Sequence, residues 1–320
     1  MSPFIDFLVD SLGFGATFMY GSTGEIITEK AGHLNLGIPG IMCMGGAGGC
    51  LVINMCVKAG FPPFLIVILG ILGSFLMGAL MGLIYSFLTV TLRANQNVTG
   101  LALTTFGVGL MKVLMSDKKL VQANTYLVNP KNYFRFPFAS HTDSLHTLGV
   151  MFFIALIIAL GAGWILYRTR VGLNLRSIGE NPATADAAGI NVTRYKYLAT
   201  CAGSGISALG GLYYIMDYMC SQEAYLSLEA FGWLSIALVI FVLWKPHITI
   251  PGAFIFGVLF SCSSHIANLS FIKVTMAAKP LLKMLPYVFT IVVLIISSVR
   301  NRRENRPPKS LGISYFREER

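Results

Sequence analysis

Side chains able to do chemistry are sparse in this chain, and their spacing excludes more than it offers. The apolar stretches between residues 38 and 299 hold almost no Asp or Glu, while Asp217, Glu223 and Glu229 fall together in a polar connection at 217–229. A transporter driven by protons or sodium usually holds its ion with carboxylates or unwound helix carbonyls near the bilayer midplane. The carboxylates are missing, which disfavours ion coupling; unwound carbonyls stay open. His33, His141, His146, His247 and His265 are scattered without metal-ligand spacing, and neither HExxH nor GxSxG occurs. A phosphate-cradling GxxxxGK(S/T) is also absent, because the nearest approach, Gly32 to Gly37, runs into Ile38 rather than Lys. The six cysteines form no CxxC pair and read as reduced packing residues. Glu25 and Glu29 stand one helical turn apart, with Lys30 placed to make a structural salt bridge. No catalytic group, metal site or cofactor is therefore expected, and uphill movement of a solute would draw its energy from another polypeptide.

Composition defines the elements that carry these residues. Of 320 residues only 12% are charged, about half the soluble norm of roughly 25%, while 55% are hydrophobic. With a mean hydropathy of +0.68, this excludes a soluble enzyme, a disordered chain and a disulfide-stapled secreted domain. The net charge of +10 makes no basic stripe with interleaved aromatics, so no nucleic-acid partner is expected. The start, MSPFIDFLVD, lacks the basic region of a cleaved signal. The fold class is all-α: a polytopic transmembrane bundle of about 8–10 spans, each needing about 20 apolar residues. Apolar runs lie near 4–20, 38–57, 63–90, 98–115, 147–167, 197–216, 230–244, 247–265 and 285–299, with 21–37 either a connection or re-entrant. Trp244-Lys245-Pro246 makes a tight helical hairpin of the two runs beside it. Five basic residues in 168–196 and seven from Arg300 onward place both regions in the cytoplasm. The same parity puts 21–37, 91–97 and 245–246 inside and the N-terminus outside. Residues 1–299 form the transmembrane domain, with the loop 168–196 within it, and 300–320 form a basic cytoplasmic tail.

Glycines cluster at Gly45, Gly46, Gly48 and Gly49, at Gly78 and Gly82, and at Gly203, Gly205, Gly210 and Gly211. Small residues let helices approach closely in lipid; the alternative is that Gly32 to Gly49 breaks a helix and exposes backbone to a pathway. The loop stretch GLNLRSIGENPATADAAGINVT (172–193) carries a different signal. Asn181 is a good N-cap, Pro182 suits the first helical position, the alanines that follow favour helix, and Gly189 suits a left-handed C′. The resulting two-turn helix is too short and polar to span and is unstable alone, so it must dock on something.

Three segments together resemble the permease subunits of bacterial ABC importers, in the branch that handles branched-chain amino acids, simple sugars and nucleosides. They are GEIITEKAGHLNLGIPGIMCMGG (24–46), LRANQNVTGLAL (92–103) and GLNLRSIGENPATADAAGINV (172–192), the last similar to that branch's coupling loop. The likeness runs from about residue 15 to 263, and the short N-terminal arm is most similar to the smaller permease of nucleoside importers. The loop 116–146 and the region 266–284 match nothing in the pattern, and Cys43, Cys50 and Cys56 enrich the second span unusually.

The resemblance implies a permease of the bacterial inner membrane, surrounded by lipid, working with a second homologous permease subunit, a cytoplasmic ABC ATPase and an extracellular or periplasmic substrate-binding protein. Pro182 to Ala188 would sit in the ATPase groove, with Asn181 as cap, Arg176, Glu180 and Asp186 at its edge and Gly189 turning the chain back. A polar, uncharged cargo needs both donors and acceptors. Asn35, Gln96, Asn97, Thr99, Thr104 and Thr105 supply them along the pathway. The threonines do not share one helix face, and their hydroxyls could equally bond back to their own helix.

Overall fold

A computed structural model describes residues 3–116, 148–266, 284–300 and 307–316. The expectations about the loop 116–146, the region 266–284 and most of the basic residues of the tail lie outside the described residues. Within them the chain is helical. The elements are α1 (Pro3–Lys30), α2 (Ile38–Lys58), α3 (Pro63–Ser86), α4 (Gln96–Ser116), α5 (Val150–Arg168), α6 (Arg170–Glu180), α7 (Pro182–Ala187), α8 (Val192–Leu212), α9 (Leu228–Phe241), α10 (Pro246–Ile266) and α11 (Leu285–Arg300). Widened π turns extend α3 over Phe87–Thr91 and α8 over Tyr213–Met219, and a short 3₁₀ turn covers Gln222–Ser227.

Every apolar run of the sequence coincides with a helix. Among the described residues, six of these helical segments are long and apolar enough to cross a membrane: Ile38–Lys58, Pro63–Thr91, Gln96–Ser116, Val150–Arg168, Val192–Met219 and Glu223–Phe241. The chain is a multi-pass membrane protein. Their outer faces suit lipid: Phe64, Leu76, Phe106, Ile157 and Trp164 are all more than half exposed.

α2 and α8 form the centre, and most of their residues are buried. α8 packs on α3, α1 and α2; α10 lies along α1, and α4 lies along α2. This close approach depends on small residues. A Cβ on Gly40 of α2 would meet the Leu103 carbonyl oxygen of α4 at 2.6 Å and the Thr104 Cα at the same distance. Of the two readings of the glycines, close packing holds for Gly45 to Gly49, which continue α2 unbroken. The break is confined to 31–37, where Gly32 has φ +82°.

Two expectations are corrected. Residues 21–30, read as a connection or re-entrant segment, continue α1 as helix. Gly21 and Gly24 do not end it; they face Ser235 of α9 and Gly203 and Ser207 of α8 at close range. The loop 168–196 holds a second helix, α6, before the expected one. Thr169 caps it by accepting from the Gly172 amide at 3.2 Å, and it buries Gly172, Leu175, Ile178 and Gly179. The hairpin around Trp244-Lys245-Pro246 is present, with Leu243 and Trp244 both left-handed.

Candidate functional site

One end of the bundle collects the turn 31–37, the turn 92–95, α6, α7 and the segment 307–316. α7 is the short helix expected from its letters. The Asn181 Oδ1 accepts from the Thr184 amide at 3.1 Å, Pro182 opens the helix, and Gly189 takes φ +83° just past its end. Its inner face rests on a small apolar cluster of Ala185, Ile178 and Val192, flanked by Ile190, Tyr195 and Tyr315. That docking supplies what a helix of this length lacks by itself. Its other face is open: Asn181, Ala183, Thr184, Ala187, Ala188 and Gly189 are exposed.

The flanking polar residues differ in their surroundings. Glu180 is exposed. Arg176 lies with its guanidinium 5.0 Å over the Tyr167 ring, and its Nε is buried without a hydrogen-bond partner among the described residues. Asp186 accepts a hydrogen bond from the Tyr315 hydroxyl at 2.9 Å, so the 307–316 segment covers this edge of α7. The same segment is fastened at Ser310, whose amide donates to the Gly179 carbonyl at 2.9 Å and whose hydroxyl bonds the Ile178 carbonyl at 3.2 Å. Tyr315 and Ser310 had no local signal in the sequence beyond a pair of aromatics in a polar stretch.

The turn 31–37 is the second feature of this end. Its backbone is held from three sides: Gln96 Oε1 accepts from the Leu34 amide at 2.8 Å, the Tyr85 hydroxyl donates to the Leu34 carbonyl at 2.7 Å, and Thr104 Oγ1 donates to the Leu36 carbonyl at 2.8 Å. Asn35 donates its amide to Glu25 at 3.1 Å and accepts from the Gly37 amide at 2.9 Å. Asn35, Gln96 and Thr104 are buried at this turn, and Thr99 is buried on α4. Asn97 and Thr105 are exposed, and the Thr105 hydroxyl bonds back to Ala102 and Leu101 of its own helix. Asn35 Nδ2 and Gln96 Nε2 are buried without partners among the described residues. Each such donor costs about 1–3 kcal/mol unless something meets it.

Glu25 and Glu29 sit fully buried beneath the turn. The expected salt bridge to Lys30 is replaced: Glu29 accepts the Trp244 indole N–H, and Glu25 takes the Asn35 amide. The left-handed hairpin between α9 and α10 brings the indole there, which the sequence read only as a turn. His33 Nδ1 pairs with Thr200 Oγ1 at 2.9 Å, and burial together with the Lys196 charge holds its imidazole well below its usual pKa.

The described residues thus form a many-helix membrane body with a capped, docked and half-exposed helix at one end. Comparison with known proteins agrees. The family described as the permease component of the branched-chain amino acid transport system matches residues 7–297, and the chain belongs to that family. It is thus a permease component and not an enzyme. It is 29% identical over 97% of its length, and 96% of theirs, to the nucleoside ABC transporter permease protein NupC of Lactococcus lactis. It is 28% identical to a protein of Haloferax volcanii named as a candidate glucose ABC transporter permease, TsgC13, covering 92% of each chain. It is 26% identical to the guanosine ABC transporter permease protein NupQ of Bacillus subtilis, over 96% of this chain and 95% of that one.

Proposed function

We propose that this chain forms half of the translocation pathway of an ATP-driven importer for a nucleoside or simple sugar. It resides in the bacterial inner membrane, with residues 1–299 as the membrane domain and 300–320 as a cytoplasmic tail. The end that carries α7 faces the cytoplasm. A separate ABC ATPase grips α7, a second homologous permease completes the pathway, and a binding protein delivers cargo outside. The observation that carries this reading is the open outer face of α7 on a helix otherwise docked to its own chain. Pro182 to Ala188 enter the ATPase groove, Asn181 and Gly189 hold the ends, and Arg176, Glu180 and Asp186 border it.

The buried amides of Asn35 and Gln96 support a polar, uncharged cargo, because their unpaired N–H groups can donate to its hydroxyls or ring nitrogens. Thr99 and Thr104 line the same buried region; Asn97 and Thr105 serve where the second permease closes the pathway. α7 pushes through α6 and α8. A Cβ on Gly179 of α6 would run into the Lys30 carbonyl, so α6 and the start of the 31–37 turn move together.

The test is reconstitution. The chain in proteoliposomes with its second permease, ATPase and binding protein takes up labelled nucleoside or sugar only with ATP. Gradient-driven uptake by the chain without any ATPase would overturn the reading and favour an ion-coupled secondary transporter.

A further inference from the structure

We propose that the cavity between α7 and the turn 92–95 binds a phosphate-bearing anion, at a place separate from the cargo. The cavity encloses about 560 Å³, within the range of roughly 300–1,000 Å³ usual for small-molecule sites. Three cationic side chains, Arg93, Arg194 and Lys196, line it against a single carboxylate, Asp186, which already accepts the Tyr315 hydroxyl.

One buried donor makes it a built site rather than a basic surface. Lys196 is 3% exposed, and among the described residues nothing accepts a hydrogen bond from it or pairs its charge. An ammonium held largely out of water without a counter-charge is costly. An uncharged sugar or nucleoside would leave that charge unanswered, whereas an anion in the cavity answers it.

The backbone adds to the preference. α8 begins at this wall, with Asn191, Val192, Thr193 and Arg194 lining the cavity, so the positive end of a long helix faces it. Arginine forks suit phosphate oxygens in pairs, and Arg93 is steadied by the Phe316 ring, 5.0 Å from its guanidinium. Ser314 and Tyr315 close the cavity from the tail. An anion bound there ties the tail to α8 beside the helix that the ATPase would grip.

The probe is inorganic phosphate, titrated calorimetrically at low ionic strength into the purified full-length chain in nanodiscs of phosphatidylcholine. Saturable binding is expected, weakened about tenfold or more in Lys196→Met and in Arg194→Gln, and unchanged in Arg170→Gln, which removes the same charge from α6. Arg194 is exposed, so its variant keeps the fold even if Lys196→Met does not. Repeating the titration in phosphatidylglycerol separates the sources. Unaltered affinity assigns the site to a soluble phosphate, and affinity lowered about tenfold assigns it to a lipid headgroup of the same chemistry. Absence of saturable binding in phosphatidylcholine, equal binding in wild type and both variants, or displacement of phosphate by an uncharged nucleoside would each overturn the proposal.

Discussion

Gly189 is the point at which the architecture of α7 can be tested most cleanly. Its φ of +83° lies in the left-handed region, and an added Cβ would meet no atom within 4 Å. Substitution there changes backbone strain alone. A left-handed L-residue costs roughly 1–2 kcal/mol, with Asn the most tolerant side chain and β-branched residues the least. α7 is six residues long, held by one cap, one small apolar cluster and the Asp186–Tyr315 hydrogen bond, so it has little stability to spare. A loss of 1–2 kcal/mol shifts its docked population by a factor of about 5–30. Uptake in proteoliposomes should therefore fall in the order Gly, Asn, Ala, Val at position 189, while ATP hydrolysis continues and the number of ATP molecules spent per solute rises. The thermal midpoint should stay within a few degrees throughout, because the strain is local. Full uptake in Gly189→Val, or equal losses in the Asn and Val variants, would refute the argument that this left-handed turn sets the helix for coupling.

Two further expectations concern the body of the bundle. Gly40→Leu drives a side chain into the Leu103 carbonyl and Thr104 backbone of α4, and overpacking of this kind costs about 1–3 kcal/mol or more; thermal unfolding in detergent should show a lowered midpoint, and a wild-type midpoint would contradict the packing. His33 stays neutral in the folded chain below its ordinary pKa of 6.5, whereas the unfolded chain takes up a proton there. Stability is therefore full above about pH 6.5 and declines as pH falls below it, by up to about 1.4 kcal/mol per unit. The difference between wild type and His33→Asn, followed by melting from neutral to mildly acidic pH, should show that slope, and parallel curves would exclude it.

What could be read from the sequence, and what could not, follows from how far apart the cooperating residues lie. α7 was legible because its cap, its proline, its alanines and its terminating glycine are consecutive letters, 181 to 189. The apolar spans were legible because each is a contiguous run. α6 was not, since half of its buried face is Gly172 and Gly179, which carry no hydrophobic period. The continuation of α1 was hidden in the same way by Gly21 and Gly24, whose value is the closeness they allow to α8 and α9. Pairings across the fold left no trace: Asp186 meets Tyr315, 129 positions away, and Glu29 meets Trp244, 215 positions away. The six polar residues chosen for a pathway divide accordingly, three of them gathered at the turn 31–37, Thr99 buried on α4 and two left on the open face of α4.

The same geometry explains why a short helix at one end can govern that turn. Ser310 bonds the last carbonyls of α6, and its side chain stands where a Cβ on Gly32 would lie 2.7 Å from the Ser310 Oγ. Gly179 of α6 abuts Lys30, and His33 of the turn is bonded to Thr200 of α8, the helix that α7 feeds. The turn is thus held between α6 and α8, with the tail as a third contact and α4 supplying the amide and hydroxyl that satisfy its backbone. Close-packed interiors shift between discrete arrangements rather than deforming smoothly. A displacement of α7 that carries α6 and α8 must then either carry the 31–37 turn with it or break the Gln96 and Thr104 bonds to Leu34 and Leu36, and either outcome changes what the unpaired amides of Asn35 and Gln96 can reach.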